Sequence, residues 1–468
     1  SEFFNKKDTS LQKDLIEFKE NLFLPSRVIV SESFHTNSWI IDKNDTSFFP
    51  KLYADMKLYL ADILTKAEIR SNKVSPLTEE IVLKFMETPF VAFEFSTSIN
   101  SSMLPWLLDF SGVNIINKEI SGIKKVIIVP NLTNEEDSCS IKIIDEIGKK
   151  VFQYSLSFKG NTGKKWYQGM IGELNRKNSP YSKYSMVNEG ISSASNNIIG
   201  IPRDMLLLVP QSSKFSTFKN YSCKSPDEFI IPELDRQNKN EDIISQRKKE
   251  LAQKVLKSEA DSFLSSVDVN SATFRNVGNT YKVHDSGLLE YHYLQTEGNV
   301  NKGGLDEAFE KVTEFIGSKL DLVIKPETID SQHSEPELEI YFSGLVEERD
   351  RYRFTFDYRL DGTPVYFYSQ NKENNKHTSA IIIEATDKRV LDCEWIIKEF
   401  IHRGDKEYNL LFADLKDSLS QVRPDIESIK DVHPCYEVQL DANIQELKPL
   451  WLMITEKKER FIQKMVPK

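Results

Sequence analysis

Two histidines and two carboxylates lie close together in the sequence, at His284, Asp285, Glu290 and His292. Imidazole nitrogens and carboxylate oxygens are ligands that zinc accepts. A hairpin that brought His284 and His292 together with a carboxylate would therefore form a metal site. The alternation of side chains along a strand predicts instead that these polar residues are half-buried or on the surface. We take surface positions as the prediction and a zinc site as the alternative.

Motifs for phosphate binding and for hydrolysis are incomplete or missing. Residues 159–165 (KGNTGKK) lack the first glycine of a P-loop, and Lys165 stands where a P-loop has serine or threonine. Neither the G-x-S-x-G elbow nor the H-E-x-x-H pair occurs. Glu335, Glu337 and Glu339 alternate along a predicted edge strand, which puts them on its solvent face. We therefore predict no catalytic residues and no cofactor, and we favour a binding or regulatory role over chemistry.

The clearest strand pattern is 351–360 (RYRFTFDYRL), in which apolar and polar side chains alternate strictly. The side that carries the aromatic residues predicts a core face. The other side carries Arg351, Arg353 and Arg359, which we predict as a contact surface for a partner, with a plain solvated face as the alternative. Asp361 and Gly362 follow at once and predict a two-residue hairpin, because both central positions of such a turn need a positive φ.

The composition is that of a globular protein with several domains. Its 468 residues correspond to about two to four domains of ordinary size, and 39% hydrophobic and 11% aromatic residues are enough for real cores. The net charge of −10, without a concentrated basic surface, argues against nucleic-acid binding. No stretch approaches the roughly 20 apolar residues of a membrane-spanning helix.

The four cysteines, Cys139, Cys223, Cys393 and Cys435, are far apart, and no C-x-x-C occurs. This spacing fits neither a zinc site nor a disulfide-built scaffold. Buried or free thiols are the prediction. The alternative is two long-range disulfides, for example Cys139–Cys223 and Cys393–Cys435.

Helical and strand patterns alternate along the whole chain and predict a multidomain α+β protein with antiparallel sheets. The last two domains share a strand-strand-helix-strand-strand pattern. The first of their helices has an apolar face from Leu305 to Ile316, and the second has one from Tyr408 to Val422. The predicted organisation is a tether (1–20), an N-terminal α+β domain (21–238), a connecting helix (239–265), a middle α+β domain (266–370) and a C-terminal α+β domain (371–468).

Four stretches carry a resemblance to a known family. They are Leu24–Val28 (LPSRV), Leu289–Leu294 (LEYHYL) before the helix from Leu305, Phe354–Tyr366 (FTFDYRLDGTPVY) and Leu447–Trp451 (LKPLW). With them the chain resembles the YycH family, membrane-anchored regulators of an essential cell-wall sensor kinase in low-GC Gram-positive bacteria. The Leu-x-Pro-x-Trp stretch is similar to the sister YycI proteins as well.

The resemblance implies a regulator without enzymatic activity that acts by protein–protein interaction. Its partners would be the sensor histidine kinase of a two-component system for cell-wall metabolism and a YycI-like sister protein. The resemblance also implies a transmembrane segment upstream of Ser1 and three domains on the extracytoplasmic face of the membrane, the last two being YycI-like. The alternatives are a cell-envelope hydrolase and an extracytoplasmic ligand-binding lipoprotein.

Overall fold

The computed structural model describes residues 2–33, 37–41, 43, 48–66, 73–108, 118–133, 138–157, 163–177, 181–183, 208–210, 215–232, 241–295, 301–324, 336–369, 376–409, 429–455, 457 and 459–468. Within them the chain is a mixed α+β protein with several antiparallel sheets, as the sequence predicts. The helices are α1 (Glu2–Asn21), α2 (Phe49–Thr65), α3 (Glu79–Met86), α4 (Leu104–Leu107), α5 (Lys164–Lys177), α6 (Glu241–Leu256) and α7 (Leu305–Gly317).

The strands of the first half are β1 (Arg27–Ser31), β2 (Ser38–Ile41), β3 (Lys73–Pro76), β4 (Phe90–Asn100), β5 (Gly122–Pro130), β6 (Ser138–Asp145), β7 (Lys150–Ser157), β8 (Tyr181–Lys183), β9 (Leu208–Pro210) and β10 (Phe215–Lys224). Those of the second half are β11 (Leu264–Val267), β12 (Ser271–Arg275), β13 (Asn279–His284), β14 (Leu288–Tyr293), β15 (Leu338–Glu347), β16 (Tyr352–Leu360), β17 (Thr363–Ser369), β18 (Lys376–Thr378), β19 (Ile381–Ala385), β20 (Val390–Ile396), β21 (Glu399–Asn409), β22 (Ile429–Gln439), β23 (Ile444–Leu447), β24 (Leu450–Thr455) and β25 (Arg460–Lys464).

The chain packs into two compact units, each built from segments that are far apart in the sequence. Unit 1 consists of Ser1–Phe23, Lys219–Asp405 and Cys435–Lys448. Unit 2 consists of Leu24–Phe218, Lys406–Pro434 and Pro449–Lys468. The segment predicted as a tether contains helix α1, and the predicted connecting segment contains helix α6. The boundaries at residues 238, 265 and 370 stay predictions.

Unit 2 is organised by a sheet with the strand order β3-β7-β6-β5-β4-β1-β2-β8-β9. Helix α3 packs Val82 and Met86 on one face of this sheet, against Phe90, Ile127 and other buried apolar side chains. Thr78 caps the helix, because its hydroxyl accepts a hydrogen bond from the backbone N–H of Ile81 at 3.3 Å. An apolar helix face on an apolar sheet face thus forms the core of this unit.

Unit 1 contains a sheet in which β11, β12, β13, β14, β20, β19 and β16 follow one another antiparallel. Strand β16 pairs along its other edge with β15, and β17 continues from β16 through the hairpin. Strand β22 lies parallel to β17, with Val365 opposite Tyr436. The register of β19 against β16, Phe354 opposite Ile383, places apolar residues of both strands on one face.

Helix α7 covers that apolar face. The ring of Phe309 lies 5.6 Å from that of Phe354 and 5.8 Å from that of Phe342, and Phe315 lies 5.2 Å from Tyr291. Burying each such side chain stabilises the fold by about 1.5–3 kcal/mol relative to leaving it exposed. The prediction that the aromatic side of 351–360 is a core face is therefore confirmed: Tyr352, Phe354, Phe356, Tyr358 and Leu360 are all buried.

The predicted two-residue hairpin is also confirmed. Asp361 has φ +46° and Gly362 has φ +83°, and β16 pairs antiparallel with β17 across them. The Asp361 carboxylate accepts a hydrogen bond from the hydroxyl of Tyr221 and lies 3.3 Å from the Lys219 ammonium. The turn residue thereby joins the hairpin to β10 within unit 1.

Two further predictions concern helices. The helix predicted over Tyr408 to Val422 lies almost entirely outside the described residues, and Tyr408 itself belongs to strand β21, so its placement on a helix is wrong. Among the helices that the structure describes, none combines the length and the apolar character needed to cross a membrane.

Candidate functional site

One face of the unit 1 sheet carries most of the polar residues that the sequence singles out. Helix α7 packs on the opposite face, against β16, β19 and β20, so the side chains that alternate with the core residues point away from it. We call this side the open face. From β13 to β16 its half-buried or exposed members are Lys282, His284, Glu290, His292, Asp392, Glu394, Ile382, Glu384, Arg353 and Thr355.

Four carboxylates of the open face form two like-charged pairs across neighbouring strands. Glu384 of β19 lies directly opposite Asp392 of β20. Glu290 of β14 lies directly opposite Glu394 of β20. Like charges in such positions destabilise a sheet. Each pair is accompanied by cationic or ionisable nitrogen groups, an arginine pair in the first case and a histidine in the second.

Arg351 and Arg353 hold the first pair. A guanidinium nitrogen of Arg351 lies 2.7 Å from Glu384 and 3.4 Å from Asp392, so this arginine bridges both carboxylates. Arg353 lies 2.7 Å from Glu384 and 2.9 Å from Glu348. Burial alone would raise the pKa of Glu384, but the hydrogen bonds from the two arginines outweigh it and hold this pKa below its ordinary value.

The two histidines of the sequence cluster do not meet, because His292 lies opposite Thr280, near the start of β13, whereas His284 is the last residue of β13. Each bonds to a different carboxylate. His284 Nε2 lies 2.6 Å from Glu290, and His292 Nδ1 lies 2.6 Å from Asp392. Both histidines are half-buried or exposed, as the strand pattern predicts. Within the described part of the chain, no three His, Cys, Asp or Glu side chains are grouped so that they could hold a metal ion.

Arg359 does not share the exposure of the other two predicted contact residues. Its side chain is only 5% exposed, and the guanidinium stacks 3.8 Å above the ring of Tyr341 on β15. Glu339 lies opposite Arg359 in the register of β15 and β16 and is buried as well. The prediction that Glu339 lies on a solvent face is therefore wrong, and Glu335 lies outside the described residues. The alternation of apolar and polar residues assigned Arg359 and Glu339 correctly to the polar side of their strands. It could not show that this side is buried at the Arg359–Glu339 end.

The four cysteines are buried and free, as predicted, and form no disulfide. Burial raises the pKa of Cys139 to about 12 and that of Cys223 to about 12, and it raises the pKa of Cys393 as well. A thiol must ionise to act as a nucleophile. These three thiols are therefore suited to packing and not to attack on a substrate.

Two members of this site, Glu384 and Asp392, could not be recognised as site residues from the sequence. They meet Arg351 only because β16, β19 and β20 are neighbours in the sheet. The available signal was the alternation within 381–385 and 390–396, which places both carboxylates on a polar side. The arrangement as a whole is a partly accessible, charged sheet face, which can recognise a partner with complementary charges.

Replacing Arg351 with methionine is expected to lower the free energy of unfolding by about 1 kcal/mol, because Glu384 and Asp392 would then face each other without the bridging cation. The loss is small because these groups are partly exposed. Urea unfolding measures it, and repeating the comparison in a Glu384→Gln background should remove most of it. The same loss in both backgrounds would contradict the bridging role.

Comparison with known proteins bears on the fold. No protein-family model matches the chain, and no curated protein matches it. The crystal structure of YycH from Bacillus subtilis is similar to it over 96% of this chain and 96% of that chain, with a TM-score of 0.52 and 13% sequence identity. The chain has a YycH-like fold. The likeness extends over both units, and it agrees with the resemblance of the four sequence stretches.

Proposed function

We propose that this protein is a non-enzymatic regulator that binds a membrane sensor histidine kinase of a two-component system controlling cell-wall metabolism. The observation that carries the proposal is the YycH-like fold over nearly the whole chain. The four stretches that resemble the YycH family support it independently of the fold. A YycI-like sister protein is the second partner, and an N-terminal transmembrane segment holds the protein on the extracytoplasmic face of the membrane.

Regulation of this kind works by differential binding. A kinase with two signalling states shifts towards the state that the regulator binds more tightly. Anchoring in the same membrane raises the effective concentration of the regulator beside the kinase, so modest affinity is sufficient.

The open face is the contact surface in this proposal. Arg353 is its most accessible predicted contact residue, with 41% of the side chain exposed, against 29% for Arg351. Arg359, whose buried guanidinium stacks on the ring of Tyr341, positions β15 on β16 and takes no direct part in this contact.

The test is co-purification of the full-length protein from cross-linked membranes. We expect a sensor histidine kinase and a small anchored sister protein to be recovered with the wild type. An Arg353→Gln variant should recover about tenfold less kinase, equivalent to about 1.4 kcal/mol. Arg176→Gln, which changes an exposed arginine of α5 in unit 2, is the matched control and should recover the wild-type amount. Recovery from the soluble fraction, or from membranes without a kinase, would contradict the function; equal recovery with Arg353→Gln would contradict only the contact surface.

A further inference from the structure

Strand β11 is an edge of the unit 1 sheet with unpaired backbone groups. Among the strands that the structure describes, β12 is its only partner, in the register Ser266 opposite Thr273. Along an antiparallel pair, residues that exchange hydrogen bonds with the partner strand alternate with residues that do not. Asp268 is of the first kind, because its backbone N–H donates to Ser271 O at 2.8 Å. Counting back from Asp268, Ser265 and Val267 are of the second kind. It follows that the N–H and C=O groups of Ser265 and Val267 point outwards, away from the sheet.

This edge lacks the proline and the bulge that protect other edges. Strands β3 and β9, at the two ends of the unit 2 sheet, end in Pro76 and Pro210. Strand β15 has a bulge between Phe342 and Gly344. Proline and bulges prevent another strand from pairing. Strand β11 has the sequence Leu-Ser-Ser-Val, which contains neither proline nor charge, and its register is continuous.

Apolar side chains are exposed at the same end of the sheet. Leu264 on β11 is 82% exposed, and Val269 in the β11–β12 turn is 73% exposed. Val277 in the β12–β13 turn is 90% exposed. Single exposed apolar residues are ordinary, but here three of them lie on β11 or in the two turns beside it. Leu264 and Val269, at the two ends of β11, offer an incoming strand apolar contacts beyond the main-chain hydrogen bonds.

The charges around the edge decide which strand would fit. Glu259 and Asp261 precede β11 and Asp268 follows it, and all three are exposed. Arg275 of β12, opposite Leu264, is exposed as well, so carboxylates outnumber cations among these four side chains. A second copy of this chain would bring the same acidic residues against them, and like charges repel. A partner segment with basic side chains at both ends places cations beside these carboxylates.

We propose that β11 captures an extended segment of a partner protein by strand addition, and that this segment has an apolar, β-branched centre and basic residues at both ends. Main-chain hydrogen bonds supply affinity in this mode of recognition, and the complementary charges at both ends supply specificity. The proposal does not depend on the identity of the kinase or on the open face, because it concerns a different part of unit 1.

A designed peptide tests strand addition directly. The probe is the fluorescently labelled peptide Lys-Val-Thr-Val-Thr-Val-Thr-Lys. The control peptide has glutamate in place of both lysines. Fluorescence polarisation with the full chain should show binding of the lysine peptide at least tenfold tighter than that of the glutamate peptide. Equal binding of the two peptides would overturn the proposal.

Variants at Ser265 locate the binding. Ser265→Pro removes an outward N–H and leaves the pairing with β12 intact, so it should weaken binding of the lysine peptide about tenfold. Ser265→Ala is the matched control and should bind like the wild type. If Ser265→Pro fails to fold, the double variant Asp261→Lys and Asp268→Lys serves instead, because it should reverse the preference to the glutamate peptide. An unchanged preference in that variant would overturn the proposal, as would dimerisation of the wild type through β11 in sedimentation experiments.

Discussion

Replacing Gly287 with alanine is expected to destabilise unit 1 by about 3 kcal/mol, which combines backbone strain with the loss of a hydrogen bond. Gly287 lies in the turn between β13 and β14 with φ +95°, a conformation that residues with a Cβ atom rarely adopt. A Cβ atom there would lie 2.2 Å from the carbonyl oxygen of Ile397. The obstacle is backbone, so it cannot move aside as a flexible side chain would.

The same glycine also connects two parts of the sheet. Its N–H donates to His284 O at 3.0 Å, and its carbonyl accepts from Ile397 N–H at 2.8 Å. Any shift that relieves the clash therefore separates the β13–β14 turn from the end of β20. Because His284 and Glu290 lie on either side of the turn, the change also disturbs this part of the open face.

Hydrogen exchange of the amides in β14 and β20, together with urea unfolding, measures the effect. Gly172→Ala on α5 is the matched control, since a Cβ atom at Gly172 meets nothing within 4 Å. The control should gain about 0.5–1 kcal/mol, because alanine favours a helix more than glycine does. A Gly287→Ala protein as stable as the wild type would show that the turn tolerates a side chain.

Elements whose pattern is local could be predicted from the sequence. The alternation of 351–360, the Asp361–Gly362 turn and the amphipathic helix from Leu305 depend on residues that are close together in the chain. Each pattern states which side of an element is apolar, and in unit 1 these apolar sides meet, with Phe309 against Phe354. The α+β class follows from the same patterns.

Features that depend on strand order could not be predicted. The pairing of Arg351 with Glu384 and Asp392 requires β16, β19 and β20 to be neighbours, which no local pattern states. Burial of Arg359 and Glu339 likewise depends on what covers one end of the polar side. Unit 2 contains Lys406–Pro434, a segment far from Leu24–Phe218 in the sequence. Composition along the chain indicates boundaries between consecutive domains. It does not indicate that a distant segment of the chain packs back into an earlier unit.

Lys319 is expected to make the stability of unit 1 depend on pH. It follows helix α7, its side chain is 6% exposed, and its ammonium donates to the carbonyl oxygen of Val255 at 2.7 Å. The ammonium also lies 4.9 Å from the ring centre of Tyr281 and 5.5 Å from that of Phe315. Burial lowers the pKa of Lys319 from 10.5 to about 8, and the nearby charge of Lys257 adds to this effect.

The sign of the effect follows from the protons bound in each state. Between about pH 8 and pH 10.5 the unfolded chain keeps the proton on Lys319 while the folded protein loses it. The contribution of Lys319 to the free energy of unfolding therefore rises with pH across this window. Below pH 8, burial of the charged ammonium lowers the free energy of unfolding by about 3 kcal/mol. The thiols act in the opposite direction, since burial raises the pKa of Cys223 to about 12 and the unfolded chain loses that proton first.

A comparison of Lys319→Met with the wild type separates these contributions, because both proteins contain the same cysteines and tyrosines. The free energy of unfolding of the variant minus that of the wild type should fall by about 3 kcal/mol between pH 7 and pH 10.5. This fall is independent of the constant loss that the variant suffers from the missing hydrogen bond to Val255. Lys249→Met, at an exposed position of α6, controls for the removal of one lysine. A difference that stays constant over this range would mean that Lys319 is solvated in the folded protein, and the packing around Tyr281 and Phe315 would then be looser than the contact distances state.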